Sequence, residues 1–298
     1  MTKLTVFFLV LLAAFLLQAK EVKLLTIGNS FADSAFVFLP KVASSVEGCS
    51  IVMERANHGG CELSRHWRYI SEEESDSSVK NYNKRTLKEI LNSRKWDFVT
   101  IQQASHESWK AESYQPYANN IIGYVNKNAP SAEVLIQQTW SYRLDCPRFK
   151  KWGISQKEMY ERLTAAYAKL AKETNLRVIP TGYAVELARA TQGYEFKMYD
   201  KALLKTLKWP DLPNQSGDLV GQMAWDKAKK GYLYINVDSI HLNDRGRYLQ
   251  ACVWFGFMFE KDPRLIKYVP KSIADKDAEF LRNVAYTALK DFKQPKND

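Results

Sequence analysis

The stretch Val22-Lys23-Leu24-Leu25-Thr26-Ile27-Gly28-Asn29-Ser30-Phe31 is an apolar run that stops at a glycine and gives way to two small polar residues. Val22 to Ile27 reads as a β-strand ending at Gly28, and Phe36 to Val46 reads as the helix that follows it. The same alternation continues along the chain. Ser50 to Glu54, Asp97 to Gln102, Val134 to Gln138 and Arg177 to Pro180 read as four more strands. Helical patterns lie between them at Val79 to Asn92, Pro116 to Lys127 and Lys157 to Thr174. The last of these carries Leu163, Ala166, Tyr167 and Leu170 on one face. Nearly continuous apolar strands alternating with amphipathic helices imply a parallel sheet covered on both faces, joined by right-handed crossovers.

Three segments stand outside this rhythm. The acidic run Glu72, Glu73, Glu74 and Asp76 reads as an exposed loop. Gln192 to Asn236 is rich in aromatics and carries Pro210 and Pro213, which makes it an excursion from the sheet that could wall a site or only pack. Asn243 to Phe259 is apolar nearly all round and is therefore expected to be a buried helix, with Ser272 to Leu289 as a final helix. No internal repeat or low-complexity linker divides the chain, so residues 20–298 are read as one domain.

Composition agrees with a globular protein: 46% of the 298 residues are hydrophobic, with 13 Gly and 10 Pro. Lys3, the apolar run Val6 to Leu17 and the small residue Ala19 before Lys20 describe a secretory signal over residues 1–19. This run is shorter than the roughly 20 residues that a spanning helix needs. A secreted or periplasmic location follows, with no stable membrane span once the signal is removed. The formal charge of +10 is scattered among acidic residues rather than clustered, so a solvated surface is expected and nucleic acid is not. Cys49, Cys61, Cys146 and Cys252 have no CxxC spacing, and His58, His66 and His106 have no HxxxH or HExxH spacing. No metal and no cofactor is expected. Export would permit a disulfide, and Cys252 reads as packing.

In an open parallel sheet, ligands bind beyond the carboxyl ends of the strands. Those ends carry Gly28-Asn29-Ser30-Phe31, Asn57-His58-Gly59-Gly60 and Gln102-Gln103-Ala104-Ser105-His106, while Asp238-Ser239-Ile240-His241-Leu242 opens the buried helix. A serine hydroxyl needs an adjacent base to act as a nucleophile near neutral pH. Ser30 lies where a strand turns into a helix, which exposes its side chain and puts its N–H at the positive helix end. Gly28 permits a tight turn. His241 supplies a base, and Asp238, three residues earlier, is placed to orient the ring.

These blocks resemble the SGNH/GDSL hydrolases. GNSF is similar to their GDS(L) block, DSIHL to their late DxxH block, and Asn57-His58-Gly59-Gly60-Cys61-Glu62-Leu63 to their glycine block. The likeness runs from about Val22 to Phe259 and looks like a divergent branch common among bacterial exported proteins. It implies a three-layer α/β/α fold with a five-stranded, flavodoxin-like parallel sheet and a Ser30–His241–Asp238 triad. It also implies an oxyanion hole that includes the N–H groups of Ser30 and Gly60. The GxND block of these hydrolases is absent: the resemblance puts His106 at its Asn position, with Gln102 and Gln103 nearby as alternative third donors, and Gln103 is the closer substitute for an Asn. The implied activity is ester hydrolysis by an exported enzyme, with O-acetyl groups on a carbohydrate as substrate. The alternatives are a lipid or thioester hydrolase and a non-catalytic carbohydrate-binding protein on the same scaffold.

Overall fold

Residues 19–294 are described by a computed structural model of the chain. Seven strands form in chain order: β1 (Lys20–Gly28), β2 (Cys49–Asn57), β3 (Phe98–Ile101), β4 (Glu133–Gln137), β5 (Val178–Ile179), β6 (Val220–Lys227) and β7 (Leu233–Leu242). The helices up to the fifth strand are α1 (Ser30–Asp33), α2 (Ala35–Ser44), α3 (Leu63–Ser75), α4 (Leu87–Leu91), α5 (Tyr117–Asn128), α6 (Arg148–Trp152) and α7 (Gln156–Thr174). The remaining helices are α8 (Thr181–Thr191), α9 (Asp244–Phe259) and α10 (Asp275–Asp291). The signal expected at residues 1–19 falls almost wholly outside the described residues. No described helix is long and apolar enough to cross a membrane.

The first five strands make one parallel sheet in the order β2-β1-β3-β4-β5, the flavodoxin-like arrangement. Because β2 lies on one side of β1 and the later strands on the other, right-handed connections put their helices on opposite faces. Accordingly α2 packs with α9, and α8, α9 and α10 pack on one another, while α3, α4 and α5 form a second group. The three-layer α/β/α architecture read from the sequence is therefore present. Leu24, Leu25, Val99, Leu135 and Ile136 are fully buried in the sheet, and α9 is buried along nearly its whole length.

Three expectations are corrected. The acidic run is the last turn of α3, not a loop. Glu73 is buried there because its carboxylate accepts the N–H of Asn81 (3.0 Å) and of Leu87 (2.8 Å), tying down the connection to α4. Burial pushes its carboxyl up from the ordinary carboxylate range, against those hydrogen bonds. Of the long helix expected from Val79, only α4 forms, closed by a capping box between Thr86 and Glu89. The aromatic excursion contains an antiparallel hairpin, β6–β7, and the Asp238–His241 segment ends β7 instead of opening α9. Asn243 caps α9, its side chain accepting the N–H of Gly246. The four cysteines are buried and unpaired.

Candidate active site

Ser30 is the first residue of α1, directly after the end of β1. Asn29 caps this short helix, its Oδ1 accepting the N–H of Phe31 at 3.1 Å. The Ser30 side chain is thereby turned outward from the end of the sheet, and its own N–H has no acceptor among the described residues. Gly28 is required for room rather than for a turn. A Cβ there would lie 3.1 Å from the Gln102 side chain and 3.2 Å from the Ala32 Cβ.

His241 and Asp238 arrive from β7 through a bulge. Gln222 pairs with Asp238 and Val220 with Leu242, so Ser239, Ile240 and His241 stand opposite the single residue Gly221. The extra length folds the strand back on itself. Asp238 Oδ1 accepts the N–H of Ile240 (2.8 Å) and of His241 (3.0 Å). Asp238 Oδ2 is then 2.8 Å from His241 Nδ1, and His241 Nε2 is 2.9 Å from Ser30 Oγ. A carboxylate can only accept from Nδ1, which fixes the tautomer and leaves the Nε2 lone pair facing the serine hydroxyl. Burial opposes charge on Asp238, but the His241 ring and the two backbone N–H groups outweigh it and hold the carboxyl down to about 2. At neutral pH Asp238 is therefore ionised.

The bulge is held from behind by the segment after β4. Trp140 Nε1 donates to Ile240 O at 3.0 Å and Arg143 N to Ser239 O at 2.9 Å. Arg143 is itself buried in a two-point pair with Asp145, Nε to Oδ1 at 2.7 Å and Nη2 to Oδ2 at 2.9 Å. Phe31 stacks on Trp140, with centroids 4.1 Å apart and planes 4° from parallel, and meets the His241 ring edge-on at 5.6 Å. Trp140 thus packs behind the Ser30–His241–Asp238 line.

The glycine block forms a tight turn beside Ser30. Cys61 N donates to His58 O at 3.2 Å, and Gly60 takes a φ of +58° that favours glycine. The Gly60 N–H has no acceptor among the described residues. Behind the turn, His66 is fully buried, with Nε2 3.0 Å from Gly28 O and Nδ1 3.0 Å from Tyr82 Oη. The carbonyl requires a proton on Nε2, so Nδ1 accepts from the tyrosine. Burial lowers the His66 pKa to about 4.

Gln103 and His106, both expected as third oxyanion donors, are held by other partners. The Gln103 Nε2 group is spent on Ser113, to O at 2.8 Å and Oγ at 3.0 Å, while its Oε1 accepts from Leu63 N and Ala104 N. Gln103 is a buried brace. His106 Nε2 lies 2.9 Å from Glu62 Oε1. That oxygen accepts, so His106 Nε2 is committed to Glu62. Gln102 is also buried, and its Nε2 donates to Asn29 Oδ1 at 2.8 Å. Among the described residues no group of three or more His, Cys, Asp or Glu is arranged to hold a metal ion.

A family described as a domain of unknown function, DUF4886, matches residues 23–201. The crystal structure of a DUF4886 family protein from Bacteroides uniformis superposes with a TM-score of 0.70 at 24% identity, covering 91% of this chain and 96% of that one. An acetylxylan esterase from Geobacillus stearothermophilus is similar at a TM-score of 0.45 and 12% identity, over 83% of this chain and 95% of that one. A member of the lipolytic G-D-S-L family from Veillonella parvula gives 0.42 and 12%, over 80% and 100%. No curated protein matches the chain.

Proposed function

The chain belongs to the DUF4886 family, whose description assigns no activity, and from the geometry of its site we propose that it is a serine esterase of the SGNH/GDSL type. The observation that carries this reading is the continuous hydrogen-bonded line from Ser30 Oγ through both nitrogens of His241 to the Asp238 carboxylate. His241 Nε2 takes the hydroxyl proton as Ser30 Oγ attacks the ester carbonyl, and Asp238 stabilises the imidazolium that forms. The Ser30 and Gly60 N–H groups receive the oxyanion. Collapse of the tetrahedral intermediate breaks the bond to the alcohol oxygen, which leaves with the proton from His241. Water then repeats the cycle on the acyl-enzyme, releasing the acid and restoring Ser30.

The substrate class we propose is an O-acetylated carbohydrate. What supports it is the outward face of the hairpin. Tyr234 and Asn236 are exposed on the same face of β7 as Asp238, with exposed Gln222 and Ala224 beside them on β6, and exposed Tyr232, just before the strand, packs edge-on against Tyr234 (centroids 6.4 Å). Aromatic rings flanked by amides suit sugar rings better than acyl chains. The same reading takes residues 1–19 as an export signal and 20–298 as one hydrolase domain, with the site secreted or periplasmic. The apolar run of residues 6–17 is what supports export.

The test is hydrolysis of a short-chain aryl acetate and of an acetylated polysaccharide. Wild type should cleave the aryl acetate, and Ser30→Ala should lose on the order of 10³-fold or more with its fold intact. Equal inertness of both proteins sinks the enzyme reading and, if the protein still binds the glycan, favours a carbohydrate-binding protein on the scaffold. Replacing Tyr232 and Tyr234 together by Ala should raise KM severalfold for the polysaccharide and leave the aryl acetate untouched. Unchanged kinetics on both substrates would remove the hairpin face from the substrate assignment.

A further inference from the structure

The oxyanion hole proposed above rests on two backbone N–H groups, on two separate segments, while the amide of Gln103 and Nε2 of His106 are engaged elsewhere. Something must hold the glycine turn against the nucleophile. Two bolts do so, one on each side of Gly59–Gly60. On the near side, His58 N donates to Gly28 O at 3.1 Å. On the far side, Asn29 Nδ2 donates to Cys61 O at 3.1 Å. The second bolt is a side chain, and it is fixed at its other end as well. Asn29 Oδ1 accepts both Phe31 N (3.1 Å) and Gln102 Nε2 (2.8 Å).

We propose that Asn29 is the positioning residue of this oxyanion hole, a single buried amide that registers the Gly60 turn against the Ser30 elbow. One side chain thus joins the ends of β1, β2 and β3. It caps the helix that carries the Ser30 N–H, it holds the carbonyl one residue beyond Gly60, and it is oriented by Gln102. It touches no reacting atom. Asn29 and Gln102 are both about 2% exposed, so water does not compete for these bonds. Gln102 thus braces the hole from behind, through Asn29. Loss of the Asn29 bolt would let the turn drift, and a displacement of even a fraction of an ångström weakens an oxyanion contact made only in the transition state.

This inference rests on the esterase reading, and the experiment separates the two. Steady-state hydrolysis of an aryl acetate is measured for wild type, Asn29→Ala, Asn29→Asp and Thr26→Val, together with labelling by a fluorophosphonate and the unfolding midpoint. Thr26→Val removes a nearby strand bond, Thr26 Oγ1 to Asn57 Oδ1 at 3.1 Å, without touching the turn. Both Asn29 variants should lower kcat by about 10- to 100-fold with KM within about twofold. Thr26→Val should shift the midpoint and spare kcat. Asn29→Asp keeps the oxygen that Phe31 and Gln102 use and gives up the donor to Cys61. Wild-type kcat in either Asn29 variant, or a kcat loss in Thr26→Val matching that of Asn29→Ala, overturns the positioning role while the esterase stands. A wild type that neither hydrolyses nor labels removes the esterase reading instead.

Discussion

The two halves of the site are built differently. The half that holds the proposed nucleophile grows from β1, an interior strand of the sheet. Ser30 follows a strand buried on both sides, and Asn29, His66, Gln102 and Gln103 near it are buried and each hydrogen-bonded. The acid–base half hangs from a two-stranded hairpin whose far end stands in solvent, with Tyr232 at 61% and Leu233 at 52% exposure. Two bonds from the segment after β4, to the carbonyls of Ser239 and Ile240, pin its near end over Ser30. The first half is fixed by the core, and the second by a bulge and its braces. Rigidity therefore sits under Ser30 and the proposed oxyanion donors, while the alignment of His241 depends on a few replaceable contacts.

The largest expected effect breaks the second half alone. Asp238→Asn keeps the shape of the side chain but lets Nδ1 of His241 accept instead of donate, which moves the ring proton to Nε2 and takes the lone pair from Ser30. A loss of about 10⁴-fold in kcat is expected, read by aryl acetate hydrolysis. A fall of under about tenfold would mean that the hairpin half is not the working partner of Ser30. Acid then distinguishes the halves by pH window. His66 has its folded pKa lowered from 6.5 to about 4 by burial, so protonation favours the unfolded chain. Its contribution is fully present above pH 6.5, and is lost as pH falls from there towards 4, about 3 kcal/mol in all. Asp238 is lowered from 3.8 to about 2, so its contribution persists above 3.8 and is lost only as pH falls from 3.8 towards 2. Urea unfolding between pH 7.5 and 4 should show a slope that His66→Gln flattens. The same slope in both proteins would contradict a neutral His66 under the nucleophile.

This division also governs how much was legible beforehand. The interior strands β1, β3 and β4 are readable to within a few residues because burial on both faces leaves a nearly continuous apolar run, as in Leu24-Leu25-Thr26-Ile27, whereas the edge strand β2 is only partly buried and carries Glu54 and Arg55. The helix α3 is not readable, because its inward positions Leu63, His66, Ile70 and Glu73 are half polar. A buried Glu73 looks like a loop residue until its N–H donors are known. The hairpin was hidden in an aromatic stretch because much of it faces water and its pairing is long-range information. Asp238 and His241 were found by spacing, but a strand bulge rather than a helical turn brings them together. The part played by Gln103 depends on which carbonyl its amide meets, and no spacing encodes that.

The smallest expected effects sharpen the contrast within the hairpin itself, at two glycines with similar backbone. Gly221 has φ +84° and Gly231 φ +91°, so any side chain at either position carries conformational strain of about 1 kcal/mol or more. Their surroundings differ. A Cβ at Gly221 would lie 2.6 Å from the Asp238 carbonyl oxygen and 2.8 Å from Arg143 Nη1, whereas one at Gly231 would meet nothing within 4 Å. The Asp238 carbonyl is backbone at the start of the bulge and Arg143 is locked to Asp145, so neither can yield without moving the segment that carries His241. Gly221→Ala should therefore cost about 2 kcal/mol of stability and lower kcat by about tenfold, because a tilt of His241 lengthens its bond to Ser30. Gly231→Ala should cost about 1 kcal/mol and leave kcat within twofold. Matched kcat losses in the two variants would mean that the whole hairpin aligns the base as one body, and that the bulge has no separate part in it.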